Sequence, residues 1–327
     1  SVMHATRLAR AYTGREKVIR MEGAYHGAHD PALVSRMPPI ERAGPAADPN
    51  LVKESQGIPD SVPDDILLAQ YNDADSVERL LTEHGSEVAA ILVEPACLNL
   101  GLVEPVEGFL ERLRELADEY NVVLVFDEVK TGVKLAPGGG AEYYDVQPDL
   151  VALAKAIGGG YPVGAFGGRH EIMKLVAADL QEGVATGAAH YGTYNGNPLA
   201  LRAVGVTLRE ILDEAAYDHV TGLAERLAAG YRDVIADAGL DAQVKTAGSQ
   251  GMVHFTEEPI RTFRDWEHID VEFHEAYWMA MLNQGVLPHP HDASQQWTLS
   301  VQHDTDDVDA HIDAFADIAD DLAAAQE

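Results

Sequence analysis

The sequence predicts an α/β fold, a mainly parallel sheet flanked by helices, followed by a smaller α+β carboxy-terminal lobe. Continuous apolar runs at 88–93 (VAAILV) and 122–126 (VVLVF) have the look of strands buried on both faces, as in parallel sheets. Such runs alternate with amphipathic stretches of helical period, the pattern of strand–helix–strand units. From Asn197 onward long helical periods take over, which places a large domain at 1–200 and a small one at 201–327. A chain of 327 residues is long enough to bury a sizeable core and form more than one lobe.

Taken in order, SVMHATRLARAYT spaces Val2, Ala5, Leu8 and Ala9 on one helical face and stops near Gly14. KVIRMEGAYHGAHD is a short strand leading to Tyr25, His26 and a glycine turn. Residues 35–63 carry six prolines and no sustained period, so a long loop is expected, either a lid or a passive excursion. ILLAQYN then reads as a strand, DSVERLLTEHG as a helix capped by Asp75 or Ser76, and VAAILV as a strand ending at Glu94 and Pro95. EGFLERLRELADEY stripes Phe109, Leu110, Leu113, Leu116 and Ala117 along one helix face. Two further strands follow, VVLVF running into Asp127 and LVALA running into Lys155 and a triple glycine. Beyond Gly168 come a helix over HEIMKLVAADL, a turn in GTYNGNPLA set by Asn195, Asn197 and Pro198, and long helices over PLALRAVGVTLREILDE and YDHVTGLAERLAAGYRDVIADAG. The last lobe should hold one strand near VKTAGSQGMVHF, a helix over VEFHEAYWMAMLNQG, a strand around WTLSVQ and a closing amphipathic helix.

Two strand ends carry the chemistry. An amine delivered to an apolar pocket at a strand's end loses hydration, which favours the neutral form that attacks a carbonyl; Lys155 has this placement. Asp127 ends its own strand where open α/β sheets place ligands, and a carboxylate there suits the protonated ring nitrogen of pyridoxal phosphate while Lys155 holds the aldehyde. Lys130 is a rival amine, but alternation along the chain turns it away from the side that Val129 faces. Cys97 reads as a small buried hydrophobe, and His289 with His291 as turn residues lacking a third metal ligand. No metal is expected.

The motifs VLVFDEVKTG, PDLVALAKAIGGGYPVGAFGG and YGTYNGNPLA together resemble the class III aminotransferases of the fold type I pyridoxal-phosphate superfamily, glutamate-1-semialdehyde aminomutases in particular. The resemblance spans nearly the whole chain. It implies pyridoxal 5′-phosphate as cofactor, with Lys155 as the covalent anchor and proton shuttle and Asp127 on the pyridinium. It also implies Tyr25 stacked on the ring with His26 beside it, Val129 on the opposite face, and Glu94 and Asn99 near the 3-hydroxyl. Thr193 would reach the phosphate of a second copy across a homodimer interface. The implied activity is transamination between an amino donor and a carbonyl acceptor, with aminomutase chemistry as the alternative and an inactive homologue as the third reading. Cys97 and Leu98 stand where the family has small residues, Lys134 where the aminomutases have Arg, and Gln295 where they have Glu. In the family a Ser-Gly-Thr turn that holds the phosphate directly precedes the first helix, so the expectation is of a chain missing that part of its large domain.

With 54 acidic against 23 basic residues the formal net charge is −31, which opposes nucleic acid or anionic membrane as partners and suits a halophilic source. Nothing resembles a signal peptide or a spanning run of about 20 apolar residues, and the expectation is a cytoplasmic enzyme acting on a small amino or oxo compound.

Overall fold

In a computed structural model, which describes the chain except residues 177–179, 182, 183, 186, 292, 295 and 327, the first helix α1 (Val2–Thr13) ends where Gly14 adopts φ 69°. Its N–H then bonds back to the Arg10 carbonyl, a termination that glycine permits without strain. Behind α1 lies a six-stranded sheet of β1 (Lys17–Met21), β2 (Ile66–Ala69), β3 (Val88–Val93), β4 (Val123–Asp127), β5 (Leu150–Ala154) and β6 (Gly164–Gly168), in the order β2-β1-β3-β4-β5-β6. The first five strands pair in parallel, and β6 returns antiparallel along β5 from Ala154↔Gly164 to Leu150↔Gly168. Every residue of β3 and β4 is buried, as their unbroken apolar runs require.

Helices α2 (Ala74–His84) and α3 (Phe109–Tyr120) pack on one face of the sheet, α1 on the other. The five residues of the expected α3 stripe are all buried. The cap of α2 is Asp73, whose side chain accepts the Ser76 N–H, rather than Asp75 or Ser76. The Pro-rich segment 35–63 is an ordered excursion: Val34 bridges to Lys53, and the segment's own Ala43, Val52 and Ile58 are buried.

Beyond the short helices α4 (Gly139–Tyr143) and α5 (His170–Met173), α6 (Pro198–Val206) is capped by Asn197 with Pro198 in its first turn. It passes into a π-helical turn over Thr207–Ile211 rather than running on as one regular helix. A second apolar core joins α7 (Glu214–Ala238), α8 (Val271–Asn283) and α9 (Thr305–Gln326). The single strand expected near 244–255 is a hairpin, Gln243–Ala247 against Gln250–His254, turned at Gly248 and Ser249. Gly248 sits at φ 55° with the Lys134 carbonyl 2.2 Å from where a Cβ would stand, so side chains are excluded there. Trp297–Thr298 adds a third strand. Among the described residues no helix is long and apolar enough to cross a membrane.

Candidate active site

Parallel pairing sets the site. Asp127, the last residue of β4, lies in register with Ala152 of β5, and Lys155 follows three residues later. Both therefore emerge at the carboxyl edge of adjacent strands, on a cavity of about 510 Å³ lined also by Tyr25, His26, Glu94, Asn99, Val129 and Lys130. The first residues of α1 border the same space. His29, which the sequence did not single out, lines it as well, and burial holds its pKa down to about 4.

At the acid end the titratable groups His26, Glu94 and Asp127 are buried. Asp127 is 3% exposed; its Oδ2 receives His26 Nδ1 at 2.8 Å and its Oδ1 receives the Val129 N–H at 3.1 Å. Glu94, also buried, accepts Asn99 Nδ2 on both oxygens, at 3.1 and 3.0 Å. Burial first, and then the nearby Asp127 charge, push its carboxyl up to about 7. The Cys97 thiol donates to Glu94 Oε1 at 3.7 Å, and burial raises it well above the usual thiol range, as befits a packed side chain. The ring of Tyr25 carries the Arg36 guanidinium 5.7 Å from its centroid.

At the amine end the expectation of an apolar pocket fails: Lys155 is exposed, and so are Gly159, Gly160 and Tyr161 after it. Its backbone holds φ 51°, a left-handed conformation uncommon outside glycine and a form of strain that concentrates at functional positions. Lys130 lines the cavity and donates to Gln296 Oε1 at 3.4 Å. Lys134 lies behind it; burial, then the charges of Lys130 and Lys155, bring its pKa down to about 8. Thr193 is exposed and outside the cavity lining. His289 and His291 part company, His289 buried with Nε2 3.1 Å from that of His274, and His291 on the surface. Among the described residues no group of three or more side chains could hold a metal ion. Gln295 lies outside the described residues.

A cavity of this size with an engaged carboxylate at one end, an aromatic wall, a helix start and a lysine at the other fits pyridoxal phosphate, and the fold is that of fold type I pyridoxal-phosphate enzymes. The family described as aminotransferase class-III matches residues 1–318, and the chain belongs to that family of pyridoxal-phosphate-dependent enzymes. It is 44% identical to the glutamate-1-semialdehyde 2,1-aminomutase of Salinibacter ruber over 293 residues, 89% of this chain and 64% of that one. To the enzyme of the same name from Desulforamulus reducens it is 38% identical over 314 residues, 96% of this chain and 69% of the relative. Among solved structures, an omega-transaminase from Sphaerobacter thermophilus superposes with a TM-score of 0.89 at 34% identity, covering 99% of this chain and 72% of that one. A Pseudomonas aeruginosa glutamate-1-semialdehyde aminomutase in complex with PMP superposes with a TM-score of 0.86 at 28% identity, covering 97% and 69%.

Proposed function

We propose that the chain transfers an amino group between an amino donor and a carbonyl acceptor, with Lys155 and Asp127 as its catalytic pair. The observation that carries this reading is their placement at the ends of two adjacent parallel strands on one cavity. When bound, pyridoxal phosphate supplies an aldehyde that takes up the amino group and a ring that accepts the electron pair left as a substrate proton departs. Lys155 Nζ is the amine that would hold the aldehyde and would carry the proton to and from the substrate carbon. Asp127, oriented by the two hydrogen bonds it accepts, would face the ring nitrogen and hold its proton there. Tyr25 and Val129, both in the cavity lining, would confine the ring, and Glu94 with Asn99 would address its 3-hydroxyl.

The amine end is completed by a second copy of the chain, with Thr193 donating to the partner's phosphate. Tyr191 (75% exposed), Tyr194 (82%) and Leu199 (67%) support this, as bare apolar side chains close in sequence to Thr193. The same reading divides the chain near residue 200 into a cofactor-binding and a smaller carboxy-terminal domain. The charge of −31 supports a cytoplasmic enzyme of a high-salt cell.

The curated relatives' names favour a second reading, the internal transfer of glutamate-1-semialdehyde aminomutase. Supporting transfer between two molecules instead, segment 35–63 contributes nothing to the cavity lining, where an aminomutase would need a cover to retain its intermediate. Supplying glutamate-1-semialdehyde without acceptor separates them. Turnover that waits for an added oxo acid is expected; 5-aminolevulinate formed alone establishes the aminomutase, and borohydride fixing the cofactor to a residue other than Lys155 overturns both.

A further inference from the structure

Behind the acid end lies a second, much smaller cavity, of about 20 Å³, lined among others by Thr6, Arg20, His26 and His29. Three buried polar atoms with no partner in the protein belong to residues of its wall: Thr6 Oγ1 from α1, Arg20 Nε from β1 and His26 Nε2 from the turn after β1. Arg20, 2% exposed, has its other nitrogens occupied, Nη1 donating to the Pro31 carbonyl at 3.0 Å and Nη2 to the Ala24 carbonyl at 2.5 Å. His26, 1% exposed, has its other nitrogen on Asp127. A cavity needs roughly 10–15 Å³ to take one water, and a buried water characteristically makes about three hydrogen bonds. Size and partner number agree.

We propose that this cavity binds a single water that accepts the Arg20 Nε–H and donates to His26 Nε2, with Thr6 Oγ1 as its third partner, making His26 and Arg20 positioning residues for Asp127. A donor on Nε2 leaves the imidazole proton on Nδ1, where it points at Asp127 Oδ2. The carboxylate is then oriented by a neutral ring, and the guanidinium of Arg20 is linked to it through the water and the ring. Burial, the largest influence on His26, keeps the ring from charging, with Asp127 opposing that tendency and Arg20 adding to it. The other charged or titratable groups around the cavity are Arg10, whose guanidinium is spent on Asp65 and the Glu16 carbonyl, and His29, which burial keeps neutral. The relay is a property of the chain itself; only its service to a cofactor ring rests on the function proposed above.

Crystals of the cofactor-free protein diffracting to high resolution should show one water within about 2.7–3.2 Å of both His26 Nε2 and Arg20 Nε. In protein labelled with nitrogen-15 at histidine, His26, assigned by its loss in His26→Gln, should be neutral and protonated on Nδ1 at pH 7. Thr6→Val, which keeps the shape and removes one partner, should shift the Nε2 resonance, and so should Arg20→Lys, which keeps the charge and removes Nε–H. A dry cavity, a proton on Nε2, a charged ring at pH 7, or a resonance indifferent to both substitutions overturns the proposal. Failure of the unsubstituted protein to bind pyridoxal phosphate leaves these readings intact and sinks the proposed function instead.

Discussion

At one end of the main cavity Asp127 and Glu94 are buried and hydrogen-bonded; at the other, Lys155 stands exposed on a strained residue before a glycine-rich turn. The acid end is built from β3, β4 and the turn after β1, elements locked by parallel pairing in the middle of the sheet. The amine end leans on β6, an edge strand whose sequence GAFGG has little side chain with which to cover anything. One half of the site is thus finished by folding. The other half is open in the single chain, and on the function proposed above a second copy covers it; this is the comparison to break.

Lys155→Ala offers the largest effect. Amino transfer should fall by roughly 10⁴-fold, the upper range for a positioned acid–base group, while noncovalent cofactor binding persists because the acid end is untouched. Stopped-flow turnover and the absorbance of bound cofactor report the two separately. An alanine variant retaining more than a hundredth of the rate would move the chemistry to Lys130.

Charging the exposed tyrosine tests whether the open half depends on a partner. Tyr194→Glu places a carboxylate on a ring that is 82% exposed in the single chain, so folding should be indifferent to it. If that ring is buried between copies, the dimer dissociation constant should rise tenfold or more, with turnover following dimer population. Sedimentation velocity at several protein concentrations gives the first quantity, and specific activity across the same series the second. A monomer with full activity would mean that Lys155 needs no cover.

Legibility in the sequence divides along the same line. The central strands are readable because their apolar runs are unbroken, and the two residues proposed as the catalytic pair are legible as the charged side chains directly after those runs; Asp127 and Lys155 do line one cavity. The strand β6 escaped because glycine carries no period for a pattern to register. The hairpin at 243–254 passed for one strand because its turn is only Gly248 and Ser249. His26 could be placed near the cofactor by family likeness, but its bond to Asp127 joins residues 101 apart and is a product of packing that no local spacing encodes. The burial expected of Lys155 failed for the complementary reason: a strand end promises enclosure only when something stands opposite it, and β6 supplies glycines.

The smallest effect lies wholly within the acid end. Folded, Glu94 keeps its proton up to about pH 7, whereas an unfolded glutamate releases it near 4.5, the driving cause being burial and then Asp127. Between those values the folded state binds more protons, so Glu94's contribution to stability is present in full below 4.5 and is lost as pH rises through about 7. Glu94→Gln imitates the protonated acid at every pH and still offers Asn99 an acceptor, so it should remove that slope: the gap between variant and parent in denaturation midpoint should widen in the variant's favour from pH 5 to pH 9. Chemical denaturation at pH 5, 7 and 9 reads this directly. A gap that stays constant would place Glu94 in contact with solvent and make the acid end as open as the amine end.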